Sequence, residues 1–158
     1  MSYAIRPFRK KDAGAIAELT LAAIRSVGSH GYNPAQVEAW ENRHPGPERF
    51  LTRHANGAMI FVACDVQDAP VAYALLEPDG HLDMLYCHPD HTRKGLANEL
   101  LAQAEMVAQA EGIARLYTEA SELARAAFER AGYAVEHRRD FEVDGVPIHN
   151  YAMEKMLG

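Results

Sequence analysis

The sequence predicts an α/β (α+β) fold: a mixed, mostly antiparallel central sheet with helices on both faces, in one domain over residues 1–158. Extended segments joined by Pro, Asp and Gly predict hairpins in the middle and at the end of the chain. Apolar residues at helical spacing predict four helices. A strand-helix-strand unit connects the hairpins, which gives the order β-α-α-β-β-β-α-β-α-β-β.

A strand, two helices and a Pro-rich loop are expected in the first third of the chain. Pro7 ends the strand because proline fixes its own backbone and lacks a donor. Asp12 and Asn33 are residue types that cap helices, and Pro34 suits a first turn. The expected bounds are 3–6 for the strand, 12 to about 28 and 33 to about 42 for the helices, and 44–47 for the loop.

The rest of the chain alternates extended and helical patterns. Thr92 and Ser121 are expected to cap helices that end at Gly112 and Gly132. The pair Asp144-Gly145 predicts the turn of a final hairpin. The expected helices are 92–111 and 121–131, and the expected strands are 58–65, 71–77, 81–87, 114–118, 133–143 and 146–155.

Composition excludes several functional classes. With 158 residues, 16 basic and 22 acidic side chains, the net charge is -6, which disfavours binding to nucleic acid. No apolar run is long enough for a membrane span, and the first residues do not resemble a secretory signal. Cys64 and Cys87 lie within apolar runs, as buried free thiols do in a reducing compartment. We therefore expect a cytoplasmic protein without nucleic-acid or membrane partners.

The most informative segment runs from residue 81 to residue 101. A predicted strand is followed by a loop with Pro89 and by a helix expected to begin at about Arg93, with Gly95 in its first turn. The first amides of a helix lack internal partners and carry partial positive charge. The small residues Gly95 and Ala97 would let a phosphate approach, with Arg93 and Lys94 beside it. A pyrophosphate site and an ordinary helix start are both compatible with this pattern.

Two runs resemble the signatures of the GNAT superfamily of N-acetyltransferases. The run His88-Pro-Asp-His-Thr-Arg-Lys-Gly-Leu-Ala97 is similar to its acetyl-CoA signature, Pro-x-x-Gln/Arg-x-x-Gly-x-Gly/Ala. The run Ala120 to Tyr133 is similar to the second signature, which ends Phe-Tyr-Glu-x-x-Gly-Phe. The element order matches over about residues 3–156, and the tail 146–155 resembles the YafP-like bacterial subgroup.

The resemblance implies an enzyme that uses acetyl-CoA as cosubstrate. The backbone amides of 93–97 would hold the pyrophosphate, assisted by the Asn98 side chain. The strand edge at 85–87 would pair with the pantetheine arm and polarise the thioester, while Ser121 faces the cofactor and Phe128 packs near the thiol. The implied cofactor residues are Leu85, Tyr86, Cys87, Arg93, Lys94, Gly95, Leu96, Ala97, Asn98, Ser121 and Phe128.

Two positions depart from the family pattern. Thr92 stands where Gln or Arg is usual, which weakens one phosphate donor or leaves it to Arg93. Phe128 stands where many members have the Tyr that protonates the departing thiolate, and phenylalanine has no proton to donate. Tyr86 or Tyr151 would take that role, or the thiol leaves unaided. A non-catalytic acyl-CoA-binding or sensing module is therefore the alternative to an enzyme.

His81 and Asp83 are the candidate catalytic residues. An amine is nucleophilic only when neutral, so acetyl transfer needs a group that removes its proton. The two residues are two apart on one predicted strand and should share a face, and the family places acids or histidines there. His81 would be the base, with Asp83 orienting it or acting through water. The alternative is an exposed turn at His81 and a local cap at Asp83.

A metal site is a weaker interpretation of the same residues. His81 and Asp83 with the distant His149 have the form of a 2-His-1-carboxylate iron site. Such oxygenases need a barrel-like scaffold, for which four helices in this chain leave no room. We expect no metal.

The acceptor end of the cleft is expected at Tyr32 and Trp40, in the aromatic region that precedes the sheet. The alternative is that Trp40 only packs its helix onto the sheet. We expect direct transfer to a small-molecule or peptide amine, with a ping-pong route through Cys87 as the less favoured path. An exposed sheet edge near the C-terminus also suggests a homodimer.

Overall fold

The computed structural model describes residues 2–26, 32–44 and 46–158. The expected end of the first helix near Gly28 lies outside these ranges. None of the helices within them is both long and apolar enough to cross a bilayer. The elements are β1 (Ala4–Pro7), α1 (Ala13–Ser26), α2 (Pro34–Glu41), α3 (Glu48–Ala55), β2 (Met59–Cys64), β3 (Pro70–Leu76), β4 (Leu82–Cys87), α4 (Leu96–Ala110), β5 (Arg115–Ala120), α5 (Arg125–Arg130), β6 (Ala134–Val143) and β7 (Val146–Met156).

The strands form two antiparallel sheets that meet at one point. The first has the order β1-β2-β3-β4 and the second β5-β7-β6. A parallel bridge pairs His81 with Tyr117, and the Tyr117 amide donates to the Gly80 carbonyl at 3.1 Å. One residue further on, the Thr118 hydroxyl donates to the Leu82 carbonyl at 2.7 Å. Beyond these contacts β4 and β5 do not pair within the described chain, so they diverge and leave a gap.

Helices cover both faces of the first sheet. Along β3, Ala72, Ala74 and Leu76 belong to one apolar cluster, whereas Tyr73 and Leu75 belong to another. The first cluster contains the buried side of α4 and Phe128 of α5, and the second contains α1 and Phe50 of α3. This alternation is the period of two that a strand buried on both faces requires. The predicted mixed α/β fold is confirmed.

A β-bulge interrupts β4 at Asp83. Leu75 pairs with Met84, but the next residue, Leu76, pairs with Leu82, so Asp83 is an extra residue without a partner in the register. Leu82 and Met84 consequently face different clusters although they are two residues apart. Simple alternation, the argument that placed His81 and Asp83 on one face, does not hold through this bulge. The two side chains nevertheless lie 3.8 Å apart.

The helix at Glu48–Ala55 was not predicted, because the Pro-rich loop before it dominates the local sequence. Phe50 is its one buried residue, so its apolar pattern is weak. The signal was in its charges: Glu48 lies in the first turn, and Arg53 and His54 lie in the last. Negative charge near the N-terminus of a helix and positive charge near its C-terminus are both stabilising.

Two expected helix starts, those of α4 and α5, were wrong by about one turn, and α1 begins directly after Asp12 as expected but without the expected cap. Asp12 does not cap α1; its carboxylate accepts hydrogen bonds from the Arg6 guanidinium at 2.7 and 2.9 Å. α4 begins at Leu96 because Arg93 and Gly95 take positive φ angles of 63° and 77°. The Ser121 hydroxyl accepts from the Ala124 amide at 3.2 Å and starts the turn before α5.

Candidate active site

The gap between β4 and β5 opens into a first cavity of about 630 Å³. β4 and the end of β5 form its sides, the start of α4 forms one end, and α5 contributes Phe128. Of the eleven expected cofactor residues, Lys94, Gly95, Leu96 and Asn98 are not on its wall. The expected residues that line it are Leu85, Tyr86, Cys87, Arg93, Ala97, Ser121 and Phe128.

The N-terminus of α4 ends this cavity, and within the described ranges its first amides have no hydrogen-bond partner. No side chain caps the helix at Gly95, and the first amide bonded back along the chain is that of Glu99, to the Gly95 carbonyl at 3.1 Å. A Cβ on Gly95 would meet no atom within 4 Å, so open space lies beside it. Arg93 and Lys94 are exposed, and neither pairs with a carboxylate of the described residues. The start of α4 therefore has the charge and the access that an anion needs.

A second cavity of about 590 Å³ adjoins the first. Tyr32 and Trp40, the expected acceptor residues, both line it, together with residues of β6 and β7. Five residues line both cavities, namely Trp40, Asp83, Tyr86, Glu119 and Ser121. We call these five residues the junction. A group bound in one cavity would meet a group bound in the other at these residues.

Trp40 and Tyr86 form the aromatic part of the junction. The Trp40 indole N–H donates to the Tyr86 hydroxyl at 3.1 Å, and that hydroxyl lies 3.4 Å from His44 Nε2. Burial raises the pKa of Tyr86 to about 12 and lowers the pKa of His44 to about 4. Both side chains are neutral at pH 7, so the Tyr86 hydroxyl keeps a proton that it can donate. Trp40 thus packs its helix and also lines both cavities.

His81 lies next to the junction and is surrounded by acidic groups. Its Nε2 donates to Glu119 at 2.8 Å, its Nδ1 donates to Glu77 at 3.1 Å, and its ring stacks on Tyr117 at 4.7 Å. The hydrogen bond to Glu119 is the main reason that the pKa of His81 is raised to about 9. His81 therefore already carries a proton at pH 7. A protonated imidazole does not accept a proton, which favours a positioning role for His81 beside Glu119; its role as the base stays a prediction.

Asp83 and Glu119 are the acidic groups of the junction. Arg53 binds Asp83 Oδ2 at 2.7 Å and Glu77 at 3.1 Å, which fixes the Asp83 carboxylate. Ligand atoms of Glu77, His81 and Asp83 lie within 4.8 Å of one another, but Arg53 and the His81 proton already supply positive charge there. His149 is not part of that group and pairs with Glu122 at 2.8 Å. The three residues of the iron-site pattern do not come together, and the absence of a metal stays a prediction.

Tyr86 and Tyr151, the two candidates for the proton donor that Phe128 cannot be, lie in different surroundings. Phe128 is buried and packs edge-on against Tyr133, with ring centroids 5.0 Å apart. The Tyr151 hydroxyl donates to Glu122 at 2.7 Å, and Tyr151 lines neither cavity. Tyr86 lines both. Cys87 lines the first cavity, and burial raises the pKa of its thiol to about 11.

Sequence reasoning missed several residues of the two cavities. Glu119 had a weak signal, because a polar residue near the carboxyl end of a strand that leads into a helix is a typical site position. Arg43, Arg49 of α3 and Arg139 of β6 had none, since distant parts of the chain bring them together.

Comparisons with known proteins agree on one family. A family model described as "Acetyltransferase (GNAT) domain" matches residues 29–155. The chain is 26% identical over 149 residues to the uncharacterised N-acetyltransferase YafP of Escherichia coli (strain K12), covering 94% of this chain and 93% of YafP. It is 31% identical to a GCN5-related N-acetyltransferase of Rhodopseudomonas palustris, with a TM-score of 0.88 over 99% and 97% of the two chains.

A third comparison concerns the fold. The PaiA N-acetyltransferase of Thermoplasma acidophilum, solved in complex with coenzyme A, is 19% identical, with a TM-score of 0.80 over 99% of this chain and all of that one. At this identity the likeness shows a shared fold.

Proposed function

The chain belongs to the GNAT acetyltransferase family, a family of acyltransferases, and from this premise we propose that it transfers an acetyl group directly from acetyl-CoA to an amine. The observation that carries the proposal is the junction, at which two cavities share a wall formed by Trp40, Asp83, Tyr86, Glu119 and Ser121. The first cavity would take the acetyl donor, and the second would take the amine.

The residues of the first cavity suit coenzyme A. The unpaired amides of residues 96–98, with Arg93 and Lys94, would bind the pyrophosphate. β4 is the outer strand of its sheet, so its edge beyond Leu82 has amides and carbonyls to offer the pantetheine arm. When bound, acetyl-CoA supplies an activated thioester. The proposal includes the four residues that the family resemblance implies bind the cofactor but that do not line the cavity. These are Lys94, Gly95, Leu96 and Asn98.

The junction would carry out the proton transfers. Asp83 and Glu119 attract the ammonium form of the acceptor and remove its proton, directly or through water. The neutral nitrogen then forms a bond to the acetyl carbon and loses its second proton to water, the bond from that carbon to sulfur breaks, and the sulfur gains a proton. The Tyr86 hydroxyl is the donor for that last step, in place of the hydroxyl that Phe128 lacks. His81 and Arg53 hold the two carboxylates in place.

The test measures thiol release from acetyl-CoA with a panel of amines, beside calorimetric binding of coenzyme A. We expect turnover with at least one amine, and we expect Asp83→Asn with Glu119→Gln to abolish turnover while binding of coenzyme A remains. Glu142→Gln, an exposed carboxylate outside both cavities, is the matched control. Binding of coenzyme A without turnover of any amine would favour the sensing module, which the Phe128 side chain makes the second candidate.

Three further properties stay predictions from the sequence: one domain over residues 1–158, a cytoplasmic location and a homodimer. β6 is the outer strand of the second sheet and most of its residues are exposed, so a second copy could pair along it. Analytical ultracentrifugation of the full chain tests the dimer.

A further inference from the structure

The arginines without carboxylate partners are concentrated in the two cavities. The chain has twelve arginines. Seven of them pair with Asp or Glu: Arg6, Arg9, Arg25, Arg53, Arg115, Arg125 and Arg138. Among the described residues the other five have no such partner: Arg43, Arg49, Arg93, Arg130 and Arg139. Of these, Arg93 lines the first cavity, and Arg43, Arg49 and Arg139 line the second.

The three arginines of the second cavity lie on two of its walls. Arg49 is half-buried and donates to the Arg43 carbonyl, which holds the loop before α3. Arg139 extends from β6, donates to the Asn150 side chain at 3.3 Å and lies over the Phe141 ring. Each of these contacts is with a residue that lines the cavity. The guanidinium groups of Arg49 and Arg139 are therefore held at the cavity by neutral partners, and among the described residues no carboxylate pairs with them or with Arg43.

The charged residues of this cavity differ in whether they also line the first cavity. Its carboxylates, Asp83 and Glu119, line both cavities. Its arginines, Arg43, Arg49 and Arg139, line the second cavity and not the first. Burial keeps His44 neutral at pH 7, and His149 pairs with Glu122. A ligand in the second cavity thus meets carboxylates on the wall shared with the first cavity and guanidinium groups on the wall that is not shared.

We propose that the acceptor is an amino acid: an amine that also carries a carboxylate, with the amine at Asp83 and Glu119 and the carboxylate bound by Arg49, Arg43 and Arg139. This inference rests on the proposed function. Arginine binds carboxylates through two parallel hydrogen bonds, which makes it suited to such recognition. A polyamine would bring a second positive charge to the three arginines and be repelled by them.

The kinetic test compares amino acids with the amines that lack their carboxylate. We expect kcat/KM for the preferred amino acid to exceed that for its decarboxylated amine by about tenfold or more, the effect of a charge-assisted hydrogen bond. Arg49→Gln and Arg139→Gln should each raise KM for the amino acid and leave KM for the amine unchanged. Arg130→Gln, the fifth unpaired arginine and outside both cavities, is the matched control. Equal use of amine and amino acid would overturn the proposal.

A binding test keeps this inference separate from the proposed function. Trp40 is the only tryptophan of the chain and lies at the junction, so its fluorescence reports occupancy without turnover. We expect amino acids to bind at least tenfold tighter than their decarboxylated amines, and Arg49→Gln to abolish the difference, with calorimetry as a check. An amino acid that binds no tighter than its amine, or not at all, overturns the inference. Failure of every amine to release thiol defeats the proposed function instead.

Discussion

His81 Nε2 donates a hydrogen bond to Glu119 at 2.8 Å, across the point where β4 and β5 separate. The bond joins the two sheets next to the bridge between His81 and Tyr117. It also fixes a carboxylate of the junction. Stability and the geometry of the site therefore depend on the charge of one histidine.

We expect the free energy of unfolding to fall as the pH rises from about 6.5 to about 9, the ordinary and the raised pKa of His81. Below this pH range His81 is protonated in both the folded and the unfolded state, and its ion pairs with the acidic groups around it stabilise the fold fully. Within it the unfolded state releases the proton first, so up to about 3 kcal/mol is lost. Urea denaturation across the window measures the decline. His81→Gln should remove it, and the same decline in that variant would contradict the assignment; His137→Gln, an exposed histidine, is the control.

Gly95→Ala should weaken binding of coenzyme A by about tenfold, because the new methyl group occupies the open space beside the unpaired amides. Gly112, at the other end of α4, has the same φ of 77° and likewise no atom within 4 Å of a Cβ. The two substitutions therefore carry similar backbone strain, about 1 kcal/mol each. Calorimetry should show a loss of affinity for coenzyme A in Gly95→Ala and none in Gly112→Ala. Equal losses of affinity would mean that strain alone is responsible.

Gly80→Ala should destabilise the fold far more than Gly57→Ala. Their φ angles are 100° and 101°, but a Cβ on Gly80 would lie 2.1 Å from the Arg115 carbonyl oxygen, whereas one on Gly57 would meet the Pro78 ring at 3.5 Å. Relief of that clash would push β4 from β5 where they meet. We expect an additional loss of about 2 kcal/mol or more in urea denaturation. Similar stabilities for the two variants would show that the strand contact adapts.

Tyr86→Phe should lower kcat by about 100-fold with little change in the affinity for coenzyme A, because the variant lacks the proton donor of the junction. Tyr151→Phe is the matched control, since that tyrosine lines neither cavity. Tyr86→Phe also removes the acceptor of the Trp40 N–H, so the thermal unfolding of this variant is measured as well. A stable Tyr86→Phe protein with the activity of the control would exclude Tyr86 as the donor.

Cys87 should react slowly with iodoacetamide at neutral pH. Its pKa of about 11, against an ordinary 9.0, leaves about 100-fold less thiolate than an unperturbed thiol has. The same property disfavours an acetyl-cysteine intermediate. Peptide mass spectrometry after exposure to iodoacetamide measures the rate, and mass spectrometry after exposure to acetyl-CoA without an amine checks for acetylation. An acetyl group on Cys87 would support the ping-pong route.

Elements with local signals were predictable from the sequence. Asn33 and Pro34 predicted α2, and Asn33 indeed caps it, accepting the Gln36 amide at 2.8 Å. Asp144-Gly145 predicted the hairpin of β6 and β7. Both rest on contacts between residues close in the chain. α3 was missed because its stabilising contact, Phe50 in the core beneath α1, is a tertiary one.

The sequence by itself was sufficient for the fold class, because apolar periodicity and turn residues act within a few residues. The cofactor residues that it indicated near the start of α4 stay a prediction. At the acceptor end it indicated Tyr32 and Trp40, which line the second cavity, but not the charged residues around them. The bulge that makes Asp83 an unpaired residue depends on the register between β3 and β4. Glu119 and the three arginines reach the second cavity from separate elements. Their charges acquire a role only when folding brings them together, which no local pattern records.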